Sequence, residues 1–305
     1  MILAPLLTEL VSGNTPAQAF LDPRVALFLA FAYSLPLLLI RELSLRRRLS
    51  IAGVFLLGLA YGIVNEGLLA QTLLRYEHVP IDRFDRHVFV AGFNFSWAAV
   101  IVPWHAFFAV LFPLALVSAW FPSCAQQTWL SGRAFKFLAA IVVALMAFLS
   151  VVRKPHPQML GCFLAIAALS SAAFLFRDRR SPLAERSFQR FHPFLFGLLG
   201  YPVYFLGSII LAARRAPALL FFAFVVLVLF ALGKISRSYR FLIQPASPYL
   251  ALGAYLSVSL FHLLAGVARR SPEDIVTAAI LAAAFLFLGF AGKNGIPATA
   301  ACGET

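Results

Sequence analysis

The sequence contains few charged residues and few cysteines. Only 12% of its 305 residues are Asp, Glu, Lys or Arg, and 62% are hydrophobic, whereas a soluble domain averages about 25% charged residues. So little charge cannot cover a water-soluble globule, which excludes that class of protein. The three cysteines, Cys124, Cys162 and Cys302, stand singly without a C-x-x-C pair. The sequence therefore indicates neither a thiolate zinc site nor a disulfide framework.

Regular alternation of apolar and polar residues, which a transmembrane β-barrel shows in segments of roughly ten residues, is also missing. Long apolar runs recur instead from residue 24 to residue 291. Because lipid offers no partners for backbone N–H and C=O groups, such runs predict helices. The predicted fold class is all-α, a polytopic transmembrane helix bundle, with residues 1–305 forming a single integral membrane domain.

Nine runs approach the roughly 20 apolar residues that a spanning helix needs. Residues 88–121 are too long for one span and could begin as an interfacial segment, so eight to ten spans are possible. The predicted spans are residues 24–41, 51–74, 97–121, 134–152, 157–176, 193–213, 217–233, 248–267 and 274–292.

The formal net charge of +13 could indicate a nucleic-acid partner. In a membrane protein, however, excess Lys and Arg is typical of cytoplasmic loops beside anionic lipid. With the amino terminus outside, 15 of the 25 Lys and Arg residues fall on the cytoplasmic side, including the clusters at 41–48 and 177–190. We therefore predict membrane lipid and no nucleic acid as a partner, residues 1–23 outside, and 293–305 as a short cytoplasmic tail.

Among the acidic residues and histidines, three lie inside predicted spans and away from their ends: Glu66, His105 and His262. A charged side chain near the bilayer centre costs about 2.5–3.5 kcal/mol on insertion scales, so such residues usually face the bundle interior and often mark function. The predicted outer ends of their spans lie eight, eight and five residues away. At about 1.5 Å per residue, the three groups lie within about 5 Å of one depth. This common depth predicts one polar cavity that faces outward.

The spacing of neighbouring residues supports that cavity. Gly58, Gly62 and Glu66 recur every four residues and share a helix face, and the G-x-x-x-G pair favours close helix packing. A second stripe, from Asn94 through Trp97 and Ile101, leads to His105 if the third helix begins that early. With mid-depth polar groups of the second and sixth spans added, the predicted cavity-lining residues are Tyr61, Asn65, Asn94, Trp97 and Tyr204.

The first 120 residues contain "ELVSGNTPAQAFLDP", "LLLIREL", "GLAYGIVNEGLL" and "NFSWAAVIVPWHAFFAVLFPLALV". These segments resemble an uncharacterised family of prokaryotic multi-spanning membrane proteins, over about 40% of the chain. The resemblance implies the plasma membrane of a prokaryote as the location. Family members carry a Glu-Glu-Gly unit on the second span, where this chain has Asn65 in place of the first glutamate. No activity follows from the resemblance.

Glu66 and His105 on consecutive spans also resemble, more distantly, the CAAX-protease-like intramembrane metalloproteases. Those proteins carry Glu-Glu-x-x-x-Arg and Phe-x-x-x-His motifs on consecutive helices. This chain lacks the arginine, has Ile101 in place of the phenylalanine, and has Gly266 where a downstream His-x-x-x-Asn motif would end. The resemblance is therefore an analogy in residue placement only.

Three functions are compatible with these residues. In a transporter or permease, Glu66 would be the proton-titrating carboxylate and His105 its partner, with a small molecule or lipid as substrate. In an intramembrane hydrolase or transferase, Glu66 would be a general base and His105 and His262 ligands of Zn²⁺. In a non-catalytic assembly protein, the same residues would only fix helix packing.

Overall fold

The computed structural model describes residues 3–79, 89–121, 124–152, 156–176, 191–237 and 247–291. Within these residues the chain forms nine long helices and one small hairpin. The helices are α1 (Pro23–Arg47), α2 (Ile51–Leu69), α3 (Phe95–Trp120), α4 (Gly132–Val152), α5 (Met159–Ala173), α6 (Phe191–Ala213), α7 (Ala218–Arg237), α8 (Ser247–Arg269) and α9 (Pro272–Ala291).

Each long helix overlaps one predicted span, so the prediction of a helical membrane bundle is confirmed. Among the described residues, five helices are long and apolar enough to cross a membrane: α1, α2, α3, and most of α6 and α8. Helix α5 is a shorter apolar helix. The predicted inner loop at 177–190 and the predicted tail at 293–305 lie outside the described residues.

Several helix boundaries differ from the prediction, and α1 continues to Arg47, six residues beyond its predicted end. Helix α2 ends at Leu69, five residues early, because Gln71 adopts a left-handed backbone conformation with φ 60°. Helix α3 begins at Phe95, after a hairpin of β1 (Phe89–Val90) and β2 (Phe93–Asn94), in which Phe89 pairs with Asn94. Asn94 is the N-cap of α3, and its Oδ1 accepts a hydrogen bond of 2.8 Å from the Trp97 backbone N–H. The predicted stripe to His105 included Asn94 only if the helix began at that residue, and the structure places Asn94 one residue before the helix.

An additional short helix, residues 3–10, lies inside the bundle. Its apolar residues Ala4 and Leu7 are buried, and it packs against α1 and α3. The sequence analysis assigned all of residues 1–23 to an outside segment. It missed this helix because eight residues are too few to span a bilayer.

Helix α3 is the centre of the bundle, and most of its side chains are buried. Helix α2 crosses it at two glycines. A Cβ atom on Gly58 would lie 2.8 Å from Ala106 Cα, and one on Gly62 would lie 2.9 Å from the Val102 carbonyl oxygen. The absence of side chains at these two glycines therefore sets the distance between α2 and α3.

A separate cluster of charged residues joins α1 to the connection before α4. Glu42 is fully buried and contacts Arg41 at 3.0 Å and Arg46 at 3.2 Å. Glu42 also accepts a hydrogen bond of 2.7 Å from the Trp129 backbone N–H. Because each charge has a partner, these residues fix the connection to the end of α1. Cys124, in the same connection, is disulfide-bonded, which the isolated cysteines did not predict.

Prolines inside the spans free backbone carbonyl groups, and tyrosine hydroxyls supply the missing donors. Pro103 has no N–H for the carbonyl four residues earlier, and the Tyr204 hydroxyl lies 2.9 Å from that oxygen, on Ala99. It also lies 2.6 Å from the next carbonyl oxygen, on Val100. Pro36 frees the Ala32 carbonyl in the same way, and Tyr61 donates to it at 2.9 Å.

The third example is at Pro113, which follows a π-helical segment of α3. In a π-helix the proline nitrogen would face the carbonyl five residues earlier, on Phe108. The Tyr255 hydroxyl of α8 donates to that oxygen at 2.8 Å, and Thr8 Oγ1 lies 3.4 Å from it. Tyr204, which was predicted to line a cavity, acts at Pro103 in this way and stabilises the backbone of α3.

The substitution Tyr204→Phe removes the donor to the Ala99 carbonyl. We expect it to lower the free energy of unfolding by about 1–3 kcal/mol, the cost of a buried unpaired polar group. In a Pro103→Ala background the alanine N–H can donate to Ala99, so the same substitution should cost less. Equilibrium unfolding in mixed detergent micelles measures both values. An equal loss in the two backgrounds would contradict this role of Tyr204.

Candidate functional site

Glu66 of α2 and His105 of α3 meet inside the bundle. The distance from Glu66 Oε1 to His105 Nε2 is 3.6 Å, and the two side chains are 11% and 2% exposed. The close crossing of the helices at Gly62 brings the two residues together, since a Cβ atom there would lie 3.2 Å from His105 Cβ. A carboxyl group and an imidazole therefore share one buried site.

The orientation of the His105 ring is fixed by its hydrogen bonds. Its Nδ1 lies 3.0 Å from the Ile101 carbonyl oxygen, which can only accept, so Nδ1 carries the hydrogen. Nε2 is then the acceptor, and the Asn65 side-chain amide lies 3.0 Å from it. The ring nitrogen that faces Glu66 is therefore the one able to take up a proton.

Aromatic rings enclose the imidazole on several sides. Tyr33 is stacked on His105 with ring centroids 6.3 Å apart, and Tyr61 and Trp104 meet it edge-on at 5.9 and 5.2 Å. Tyr61, a predicted cavity residue, also lies 3.4 Å from the Asn65 amide nitrogen. These rings exclude bulk water and restrict rotation of the imidazole.

The second oxygen of Glu66 belongs to another hydrogen-bonded chain. Thr72, just beyond the end of α2, donates its hydroxyl hydrogen to Glu66 Oε2. Trp97 Nε1 donates in turn to Thr72 Oγ1 at 3.0 Å. Trp97, predicted to line the cavity, thus reaches Glu66 through Thr72.

His262 lies apart from this site. Its Nε2 is 3.5 Å from Asp274 Oδ1 of α9, and a Cβ atom added at Gly13 would overlap its ring. The contact with Asp274 is not a hydrogen bond, and neither ring nitrogen of His262 has a hydrogen-bond partner. The structure thus does not bring His262 to Glu66 and His105 as the metal-dependent hypothesis requires. Among the described residues, no group of three or more His, Cys, Asp or Glu side chains could hold a metal ion.

Sequence reasoning missed a second carboxylate at the site, Glu9. Its side chain accepts hydrogen bonds from the Tyr33 hydroxyl at Oε1 and from the Thr15 hydroxyl at Oε2, the latter at 2.8 Å. Glu9 is also close enough to His105 for an electrostatic interaction. The sequence feature that could have indicated Glu9 is a single acidic residue within the apolar stretch of residues 1–11. That stretch is too short to be predicted as a membrane span.

The site lies where four π-helical segments meet. The segments at 6–10 and 105–111 contact each other directly. Tyr33 of the segment at 30–34 bonds to Glu9 and stacks on His105, and Glu66 of the segment at 64–69 reaches His105. A π-turn holds one extra residue and is less favourable than an α-turn, so it is rare and frequently found at functional sites. Each segment contributes one or more site residues: Glu9, Tyr33, Asn65 with Glu66, and His105.

The bundle of apolar helices and its enclosed polar site define a multi-spanning integral membrane protein. The chain belongs to an uncharacterized membrane protein family, whose sequence profile matches residues 1–296. The family membership thus extends well beyond the first 120 residues. No curated protein and no solved structure matches the chain.

The substitution Gly62→Ala tests the closeness of α2 and α3 at the site. The added Cβ would meet the Val102 carbonyl oxygen at 2.9 Å, so we expect a loss of about 1–3 kcal/mol in the free energy of unfolding, as for other overpacked cores. Gly161→Ala is the matched control, since nothing lies within 4 Å of its Cβ position. The control should be neutral or slightly stabilising because alanine favours helix. Equal effects of the two substitutions would contradict the packing described here.

Proposed function

We propose that this protein is a transporter-like membrane protein in which Glu66 binds and releases a proton. The observation that carries the proposal is the separation of 3.6 Å between Glu66 Oε1 and His105 Nε2 in an almost fully buried site. Intramembrane ionisable residues that face a bundle interior often form proton relays or substrate pathways. A small molecule or a lipid is the proposed substrate.

The proton transfer requires only a small movement. Nε2 of His105 is an acceptor, and a protonated Glu66 needs to approach it by less than about 1 Å to reach hydrogen-bond distance. In the structure the Asn65 side-chain amide donates a hydrogen bond of 3.0 Å to this same nitrogen. Asn65 and Glu66 thus compete for His105, which provides two alternative arrangements of the site.

A change of arrangement is also needed for access to water, because Glu66 and His105 are both buried. The larger share of Lys and Arg on one side of the membrane supports an amino terminus outside and a carboxy terminus in the cytoplasm. In that orientation the site lies in the outer half of the bilayer of a prokaryotic plasma membrane.

Glu66→Gln is the first test of this proposal. The amide keeps the size of the side chain but binds no exchangeable proton, so we expect loss of proton flux into vesicles loaded with a pH-sensitive dye. The imposed pH gradient supplies the driving force, and a membrane potential set with potassium and valinomycin keeps the flux from stopping early. Glu77→Gln is the control, since Glu77 is an exposed carboxyl group just beyond the same helix.

The measurement separates transport from a structural role. If Glu66→Gln and His105→Ala keep the full proton flux and lower only the thermal stability, the site serves helix packing and the proposal is wrong. If wild-type vesicles conduct protons no faster than empty vesicles, the flux is measured again with candidate solutes present. A flux that remains absent with them also contradicts the proposal.

A further inference from the structure

We propose that Glu9 is a second proton-binding group of this site, and that it controls access from the outer water to Glu66. This inference rests on the proposed function, because it assigns a gate to the same site. It is carried by the hydrogen bonds of Glu9, by its place between an exposed turn and the buried rings, and by the absence of a Lys or Arg partner for it among the described residues.

Both side-chain oxygens of Glu9 accept hydrogen bonds, one from Tyr33 and one from Thr15, an arrangement that suits an ionised carboxylate, which can only accept. Among the described residues, Glu9 is in no ion pair with Lys, Arg or His. Glu9 is 9% exposed, and a buried charge without a counterion is costly. Proton uptake from water would remove that charge.

The position of Glu9 suits a gate. Thr15 belongs to the turn after the short helix, where the next residue back, Asn14, is exposed and Thr15 is half-buried. On the other side, Tyr33 is fixed by its bond to Glu9, and its ring is parallel to the His105 ring with centroids 6.3 Å apart. Glu9 therefore connects a water-exposed turn to the ring that covers His105.

Protonation of Glu9 changes both contacts. Oε2 takes up a proton from the outer water, and the carboxyl group becomes neutral. Oε2 then carries a hydrogen and no longer accepts the Thr15 hydroxyl hydrogen as a carboxylate oxygen does. The Tyr33 hydroxyl then donates to a neutral group, and hydrogen bonds to charged groups are roughly twice as strong as neutral ones. Both changes loosen the turn and the Tyr33 ring, which opens His105 and Glu66 toward the outer water.

Among the described residues, no Lys or Arg forms an ion pair with Glu9. Tyr33, Tyr61 and His105 are close enough to interact with it electrostatically. Glu66 is also close enough to the same two tyrosines to interact with them electrostatically. With His105 neutral in the arrangement described above, neither carboxyl group is in an ion pair with Lys or Arg of the described residues.

Infrared difference spectroscopy of the full-length protein in lipid vesicles tests this role without a known substrate. The carbonyl stretch of a protonated carboxyl group appears when the pH is lowered. We expect Glu9→Gln to remove one such band and Glu66→Gln a different one. After transfer to D₂O, the band assigned to Glu9 should shift sooner than that of Glu66, because Glu9 is nearer the water. Glu273→Gln is the control, since Glu273 accepts the Gln18 backbone N–H at 3.4 Å and lies outside the site.

The outcomes for the two carboxyl groups are distinguishable. An unchanged difference spectrum in Glu9→Gln overturns this inference, even if Glu66→Gln loses its band and its flux. Loss of the Glu9 band together with an unaltered flux in Glu66→Gln would instead overturn the proposed function. If Glu9→Gln fails to fold, Tyr33→Phe and Thr15→Val provide the answer. Each should shift the frequency of the Glu9 band, and no shift in either variant overturns the inference.

Discussion

The structure depends on one constraint, that every backbone polar group inside a membrane needs a partner within the protein. Prolines in α1 and α3 break this rule locally, and hydroxyl groups of Tyr61, Tyr204 and Tyr255 restore it. Each of these bonds joins two different helices. The repair of the backbone therefore also holds the bundle together, and it positions α1, α2, α3, α6 and α8 around the site.

The buried carboxylates divide into two kinds by their surroundings. Glu42 is paired with two arginines and backbone N–H groups, so its negative charge is balanced and its role is to hold a connection in place. Glu9 and Glu66 accept hydrogen bonds from hydroxyl groups and face rings and an imidazole. A carboxyl group that lacks a fixed cation can be neutralised by a proton, which makes these two the candidates for chemistry.

The sequence was sufficient to predict the long helices and to place Glu66 and His105 at one depth, because both follow from apolar length and helical rise. It could not show Glu9, whose segment is too short for a span, or the buried Glu42, which stands at the end of one. The π-turns have no residue signature of their own, since they result from packing. Asn94 was assigned to the cavity from helical spacing and Tyr204 from its polarity and depth; the backbone geometry that makes Tyr204 a donor to α3 and Asn94 its N-cap could not be seen in the sequence.

The π-turn at His105–Leu111 has a consequence for how the central helix can change. The extra residue in a π-turn can migrate along a helix one position at a time, while the length of the span stays constant. Each step turns the residue that it passes by about 100° around the helix axis. A shift of the π-turn past His105 would therefore rotate its imidazole around the axis of α3, away from one neighbour and toward another. The rest of the helix could stay in place.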